Sequence, residues 1–420
     1  MFKKTVFLVC LTAVSAIYAG AKAPAVAETI KLPEPVGETG TIKCTLKINE
    51  DMVNGYNAKN RNFPLFKLGP LASARIRTNG SLTGIFWKWH VKWPKGRDDI
   101  PGMGLMLPEL EAGKDYHLLY TWNTEDGLFD CYFNGWPVRI PGSKFTPWNV
   151  KTANDLTIFK GPFTISGIKC EETYSSPEKV ARTETKTGAN PFGSDKALFS
   201  QEQIAAMRGN VIYSNAGQMQ PFKEWKKEGP VAMSFANGWT KVWSKEEKGH
   251  IVWWCPEELP DSFIAQWDIR ILDKHGLCIV FFAAKAADGK DIFDPALKKR
   301  TGIFKQYIYG DITSYHISYF TNTPFNPGRP QTNMRKNNKF FLVSQGACGI
   351  PPESEKVHKA MLVKVKNKIN MFIDGKSVIS WIDPGTARYG KAWTDGYIGL
   401  RQMKWTVAEY RNFKAWTVKQ

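Results

Sequence analysis

The sequence lacks features that define several common classes of protein. Beyond the first 27 residues no apolar run reaches about 18 residues, the minimum for a membrane-spanning helix. Its 7 cysteines include no Cys-x-x-Cys pair and no Cys/His spacing typical of zinc sites. The 35 glycines and 25 prolines are spread along the chain, which disfavours long helices. We therefore expect no membrane insertion, no metal or other cofactor, and no helical bundle.

The N-terminus has the three parts of a signal peptide. Lys3 and Lys4 precede an apolar stretch at 6–17, and small residues at possible cleavage positions follow as far as Ala27. We expect residues 1–27 to be removed and the remainder to be secreted or periplasmic.

The rest of the chain predicts an all-β protein. Short runs of alternating apolar and polar residues recur at the spacing of β-sandwich strands, and 420 residues exceed one ordinary core. A polar stretch at 176–199 predicts a linker between sandwiches at 29–175 and 200–418. Both predicted domains contain a two-residue hairpin turn, Asn134-Gly135 and Asp374-Gly375, which indicates a common plan.

This plan resembles the concanavalin A-like lectin/glucanase superfamily, which implies two jelly-roll sandwiches in tandem. The first domain resembles laminin-G-like modules through Tyr132-Phe-Asn-Gly135 and the Trp-containing strand before it. The second resembles the YesU-like bacterial family, long catalogued as of unknown function. The matching stretches include Trp253-Trp-Cys-Pro-Glu-Glu258, Asp291-Ile-Phe-Asp-Pro295, Tyr315-His-Ile-Ser-Tyr319 and Ile398-Gly-Leu-Arg-Gln-Met403. Members of that family often sit among genes for pectin breakdown, so the resemblance implies a carbohydrate partner, without assigning catalytic residues.

The charge favours an anionic partner. The formal net charge is +18, and residues 176–420 hold 36 Lys and Arg against 23 Asp and Glu. Outside the cell such charge attracts acidic polysaccharide, lipid headgroups or nucleic acid. We expect an anionic polysaccharide and, because of export, no nucleic acid; a basic surface that serves only solubility is the alternative.

The chemistry-bearing residues cluster late in the chain. Glucanases of the superfamily use a Glu-x-Asp-x-x-Glu strand, which is missing here, so a retaining glucanase mechanism is disfavoured. β-Elimination of a uronate instead needs a group that neutralises the carboxylate, a base and an acid. The candidate catalytic residues are His316, Tyr315, Tyr319 and Arg401. The candidate substrate-binding residues are Arg335, Asn333, Arg329, Asn322, Lys336, Gln402 and Trp254.

Strand alternation divides these candidates between two faces. His316 lies opposite the apolar Ile317, so we expect His316 to face an open groove with Arg401 and Arg335 nearby. A register slip of one residue would instead place Tyr315 and Tyr319 in the groove. Polysaccharide lyase, another glycoside-cleaving enzyme, a non-catalytic sugar-binding protein and an adhesive protein all remain open at this point.

Aromatic and cysteine residues give two further expectations. One of the adjacent Trp253 and Trp254 faces away from the core and is a candidate sugar-stacking platform, as is the patch of Trp87, Trp89 and Trp93. Cys44 and Cys170 lie in the first and last strands of their domain, which are usually neighbours, so a disulfide between them is sterically possible.

Overall fold

The computed structural model describes residues 25–50, 52, 61–79, 82–91, 103–107, 110–138, 141–187, 194–247, 249–323, 331–386 and 389–419. Residues 1–24 of the predicted signal peptide, Trp93 and Arg329 lie outside them, whereas Val26 and Ala27 belong to the first strand. The described residues form two compact units, one ending at 187 and the other beginning at 194. No helix among them combines the length and apolarity needed to cross a membrane.

The first unit is an antiparallel β-sandwich. Its sheets have the strand orders β1-β10-β3-β4-β5-β6 and β11-β2-β7-β8-β9. The strands are β1 (Val26–Val36), β2 (Thr39–Ile48), β3 (Arg61–Leu68), β4 (Ala72–Asn79), β5 (Leu82–Trp89), β6 (Met103–Leu107), β7 (Asp115–Asn123), β8 (Leu128–Phe133), β9 (Trp136–Pro137), β10 (Ala153–Phe159) and β11 (Phe163–Glu171). Trp87 and Trp89 pack in its core at 3% exposure, so the predicted sugar-stacking patch is wrong for both.

Part of the predicted linker is a helix of the first unit. Helix α1 (Pro177–Thr183) begins after Ser176, whose side chain accepts a hydrogen bond from the backbone of Lys179. Val180 packs in a buried cluster with Leu119 and Tyr132. A single apolar residue that is buried on an otherwise polar helix explains why composition alone indicated a linker.

The second unit is also an antiparallel β-sandwich. One sheet has the order β14-β15-β26-β17-β22-β23-β24, with β12 beside β26, and the other the order β13-β16-β25-β18-β19-β20-β21. The strands are β12 (Arg208–Ser214), β13 (Lys226–Glu228), β14 (Val231–Ala236), β15 (Trp239–Ser244), β16 (Ile251–Leu259), β17 (Phe263–Ile271), β18 (Gly276–Ala286), β19 (Ile312–Asn322), β20 (Gln331–Asn337), β21 (Phe341–Cys348), β22 (Val357–Val365), β23 (Lys368–Ile373), β24 (Lys376–Ile382), β25 (Gly396–Gln402) and β26 (Ala408–Val418).

Two short helices accompany these strands. Helix α2 (Gln201–Met207) begins with a capping box, in which Ser200 and Gln203 each bond the other's backbone N–H. Helix α3 (Lys305–Ile308) lies between β18 and β19, in residues 287–311, which we call the cover segment.

The seven-stranded sheet is buried on both faces. Its inner face packs on the eight-stranded sheet through residues such as Val280, Ile317 and Leu400. Its outer face carries a second apolar cluster, in which Phe281 of β18 contacts side chains of the cover segment, including Tyr307. The predicted fold class, two all-β jelly-roll sandwiches, is confirmed, and the cover segment is an addition on one sheet.

The six described cysteines are all free thiols. Strands β2 and β11 are neighbours, but Cys170 lies opposite Ile42, two residues from Cys44. Cys44 is buried, and burial raises its pKa to about 12. The Cys44–Cys170 bridge that the sequence permits is therefore not formed.

Candidate functional site

Three basic side chains meet on the outer face of the seven-stranded sheet. In β19 His316 pairs with Arg335 of β20 on one side and with Phe281 of β18 on the other. Arg401 of β25 pairs with Ile279 of β18, two residues from Phe281. Because side chains alternate along a strand, these residues point away from Ile317 and the sandwich core. We call His316, Arg335 and Arg401 the outer-face site.

Aromatic rings cover this site. Phe304 of the cover segment lies over Arg401, with its ring centroid 4.5 Å from the guanidinium carbon. Phe340 lies 3.8 Å from the guanidinium carbon of Arg335 and stacks on His316 with ring centroids 5.8 Å apart. His316 is 3% exposed, Arg335 4% and Arg401 2%. The predicted open groove is therefore wrong, because the cover segment and Phe340 of the β20–β21 turn close over it.

The electrostatics keep His316 neutral. Burial lowers its pKa well below the ordinary value, and the nearby charges of Arg335 and Arg401 lower it further. The side-chain amide of Asn337 donates to Nδ1 of His316 at 3.0 Å. The proton of the neutral imidazole is then on Nε2, so His316 is a hydrogen-bond donor at that atom.

Arg401 is a buried cation without an acidic partner among the described residues. Its Nε has no hydrogen-bond acceptor there, and burial lowers its pKa to about 10. The group that opposes this shift is the phenol of Tyr307, which donates its proton in a hydrogen bond to Glu228 at 2.7 Å. A buried charge that lacks a counter-ion is costly, so Arg401 is the residue whose environment a bound anion would improve most.

Three of the predicted site residues face the sandwich core instead. Tyr315 donates to Asp383 at 2.6 Å between the sheets, and Tyr319 is 1% exposed in the same core cluster. Gln402 donates to the hydroxyl of Tyr410, also in that core. Tyr315 and Gln402 are immediate sequence neighbours of His316 and Arg401, so alternation turns their side chains inward. Tyr319 lies two residues from Ile317 and therefore shares its inward face. None of the three side chains therefore reaches the outer-face site.

Two of the predicted binding residues stabilise other parts of the fold. Lys336 forms a fully buried ion pair with Asp383, with 2.7 Å between Nζ and Oδ2. Asn322 lies at the far end of β19 and donates to the carbonyl of Lys274 at 2.6 Å. Neither reaches the outer-face site.

Asn333 and Trp254 lie on the outer face but are not exposed. Asn333 is 3% exposed and accepts a hydrogen bond from Gln345 at 3.1 Å. Trp254 is fully buried against Phe281 and Tyr307. The cover segment thus excludes Trp254 from use as an exposed sugar platform.

The residues that close the site were not among those predicted from the sequence. Phe304 and Tyr307 come from the cover segment, Asn337 is the last residue of β20, and Phe340 lies in the turn before β21. No local pattern marks them as neighbours of the outer-face site. The length of the β18–β19 connection is the one signal that could have found two of them, Phe304 and Tyr307, because long loops in compact domains are often functional.

An open cleft of about 310 Å³ lies at the end of β18 and β19. Lys285, Trp393 and Asp395 line it, and Lys285 pairs with Asp395 at 3.1 Å and also with Glu258. Lys285 pairs in the sheet with Thr313, three residues before His316. Within the described residues no cluster of His, Cys, Asp and Glu is arranged to hold a metal ion.

Comparisons with known proteins match the second unit. A family profile described as "Domain of unknown function (DUF1961)" covers residues 210–415. The "Uncharacterized protein YesU" of Bacillus subtilis (strain 168) is 37% identical over 209 residues, which is 49% of this chain and 94% of that protein.

The chain belongs to the DUF1961 family. The DUF1961 region contains every residue of the outer-face site and the whole cover segment. Among solved structures, a protein of unknown function with galectin-like fold from Bacillus subtilis is 34% identical, covers 51% of this chain and 98% of its own, and has a TM-score of 0.48. The carbohydrate-binding module CBM66 from Bacillus subtilis is 12% identical, covers 46% and 95%, and has a TM-score of 0.31.

Proposed function

We propose that the DUF1961 domain binds an acidic carbohydrate at the outer-face site. The observation that carries this proposal is Arg401, a cation that is 2% exposed and has no acidic partner among the described residues. A carboxylate of a uronate unit would supply the missing counter-ion.

The donors around Arg401 suit a carboxylate. A guanidinium group donates two parallel hydrogen bonds to a carboxylate, and a low-dielectric surrounding strengthens them. Nε2–H of neutral His316 adds an uncharged donor without further positive charge. The rings of Phe304 and Phe340 are apolar surfaces of the kind on which the C–H faces of a sugar pack. Since these rings cover the site, ligand entry requires the cover segment to move.

The geometry favours binding over cleavage. β-Elimination needs a base beside the substrate, and the hydrogen bond from Asn337 occupies the unprotonated nitrogen of His316. The phenol of Tyr307 donates to Glu228, and burial raises its pKa above the ordinary value. Neither group is therefore prepared to remove a proton. A lyase would have to rearrange both.

The remaining predictions from the sequence complete the proposal. Export through a signal peptide at 1–27 would bring the protein to polysaccharide outside the cytoplasm. The net charge of +18 would raise the local concentration of a polyanion and speed its association.

The test compares two polymers with the same sugar backbone, one with charged carboxylates and one with neutral methyl esters. Polygalacturonate and its methyl ester are titrated into the full chain, and binding is measured by calorimetry. We expect binding of the acid and at least a 10-fold weaker affinity for the ester, because one charge-assisted contact is worth about 1.5–3 kcal/mol. Arg401→Met should remove this preference, whereas Arg411→Met, a change to a partly exposed arginine paired with Asp268, should keep it.

Three results would contradict the proposal. Equal affinity for the acid and the ester would show that charge is not recognised. Unchanged binding by Arg401→Met together with loss in Trp393→Ala would move the site to the open cleft. Ultraviolet absorbance from unsaturated uronate products, lost in His316→Ala, would show that the protein is a lyase.

A further inference from the structure

A serine, a histidine and an aspartate form a continuous hydrogen-bond chain on the other sheet of the second unit. Oγ of Ser354 lies 2.6 Å from Nε2 of His358, and Nδ1 of His358 lies 2.7 Å from Oδ2 of Asp374. This is the arrangement of a nucleophile, a general base and a group that orients the base. None of the three residues takes part in the outer-face site.

Strand β22 and the turn after β23 hold His358 and Asp374 of this hydrogen-bond series in place. His358 is the second residue of β22 and is 5% exposed. Asp374 follows β23 in the predicted Asp-Gly hairpin turn, with φ of 52° and, at Gly375, 78°. The backbone N–H of Lys359 donates to the second carboxylate oxygen of Asp374 at 2.8 Å. The carboxylate is thus fixed by the sheet register, and it fixes the imidazole.

A single tautomer of the His358 imidazole is compatible with both of its hydrogen bonds. The carboxylate of Asp374 can only accept a hydrogen bond, so Nδ1 of His358 carries the proton. Nε2 then accepts a hydrogen bond from the hydroxyl of Ser354. Ser354 lies on the half-buried loop before β22, with its own N–H bonded to the carbonyl of Pro351. A loop placement leaves its hydroxyl reachable from solvent, as a nucleophile requires.

Donors for a developing oxyanion lie directly after the serine. Among the described residues, the backbone N–H groups of Glu355 and Lys356 have no protein acceptor. Backbone N–H groups next to a nucleophile are the usual donors to the oxyanion of a tetrahedral intermediate.

We propose that Ser354, His358 and Asp374 form a second, hydrolytic site that cleaves esters of short acyl groups. Oγ of Ser354 attacks the carbonyl carbon, its proton passes to Nε2 of His358, and the carbonyl π electrons move onto oxygen. Collapse of this intermediate expels the alcohol, which takes the proton from His358, and leaves an acyl ester on Ser354. Water then attacks that ester and gives a proton to His358. Departure of Ser354, reprotonated by His358, releases the acid.

The surroundings select the substrate class. Glu353, Glu355 and Lys356 are exposed around the serine, so a long acyl chain has little apolar surface to cover it. A short acyl group, such as acetyl, on a polar alcohol fits this setting. The side chain of Asp374 is 49% exposed, and since water screens its charge, the rate should be modest compared with that of enzymes whose carboxylate is buried.

The test uses the full chain with 4-nitrophenyl acetate and with a fluorophosphonate that labels reactive serines. We expect slow ester hydrolysis and a label that peptide mass spectrometry locates on Ser354. Ser354→Ala should abolish the label, and His358→Ala should lower hydrolysis at least about 100-fold, the contribution of a general base. Ser234→Ala, a change to an exposed serine in β14, is the matched control and should hydrolyse like the wild type.

Other outcomes overturn the proposal. If the wild type is not labelled, or if Ser354→Ala hydrolyses the ester as fast as Ser234→Ala does, the chain of hydrogen bonds only pins the loop. Should His358→Ala misfold, as judged by circular dichroism, Asp374→Asn gives the same test, because a reversed imidazole tautomer lowers turnover without removing the ring. Polygalacturonate binding should persist in Ser354→Ala, so this site and the outer-face site fail or succeed separately.

Discussion

Replacing Arg401 by methionine should make the free protein more stable while it removes anion binding. Burial lowers the pKa of Arg401 from 12.5 to about 10, and each pH unit corresponds to about 1.4 kcal/mol. The folded state therefore loses about 3 kcal/mol by holding this side chain charged at neutral pH. Methionine keeps most of the side-chain volume and carries no charge.

The favourable contacts of Arg401 reduce this gain. Its stacking on Phe304 is worth about 1–2 kcal/mol in a desolvated site, and methionine replaces only part of it. We therefore expect the free energy of unfolding of Arg401→Met to exceed that of the wild type by about 1–2 kcal/mol at neutral pH. The pKa of Arg401 is lowered on folding, so the cost is present below pH 10 and is relieved as the pH rises through the folded pKa. The excess free energy of unfolding of Arg401→Met over the wild type should therefore shrink as the pH rises above about 10.

Urea unfolding followed by tryptophan fluorescence measures the difference, and the transition of the second unit is the one that should move. Arg411→Met, which breaks a partly exposed ion pair with Asp268, should change stability by less than about 1 kcal/mol. If Arg401→Met instead loses more than about 2 kcal/mol, Arg401 has a stabilising partner within the protein. The interpretation of Arg401 as a cation that awaits an anion would then be wrong.

Three further predictions concern pH, an ion pair and a close contact. The affinity for polygalacturonate should be constant between about pH 5 and pH 9 and should fall above the pKa of Arg401, about 10, as calorimetry at several pH values can show. Lys336→Met should lower the free energy of unfolding by about 3–5 kcal/mol in urea titrations, because it leaves Asp383 buried without its cation; no loss would mean that Asp383 is protonated. Gly399→Ala should cost about 1–3 kcal/mol in the same assay, since the added methyl group would clash with the ring of Trp254; an unchanged midpoint would mean that the ring moves aside freely.

Local patterns were sufficient for the fold and for the direction of the strands' side chains. Alternation in β19 correctly separates His316 from Ile317, because successive side chains of a strand point to opposite faces of the sheet. The hairpin turn at Asp374 was predictable for a similar reason, since it depends only on neighbouring residues. The internal similarity of the two halves followed from such local signals.

Contacts between distant segments were not predictable in this way. Nothing near His316 in the sequence shows that Phe304 and Phe340 lie over it, so a buried site was taken for an open groove. Tyr315 and Lys336 are buried, whereas their polar side chains suggested an exposed position. Their shared partner, Asp383, lies 68 residues after Tyr315 and 47 residues after Lys336, and it bonds both within the core.

Side chains that alternate between the two faces of β20 limit how the strands of this family can change in length. Met334 packs in the core, and its neighbour Arg335 lies on the outer face. Inserting one residue before them would exchange the two, placing a guanidinium between the sheets and a thioether beside His316. Inserting two residues restores both orientations. We expect natural length variation in β19, β20 and β25 to occur in even steps or to be absorbed by bulges, and its most frequent locations to be the connections between them.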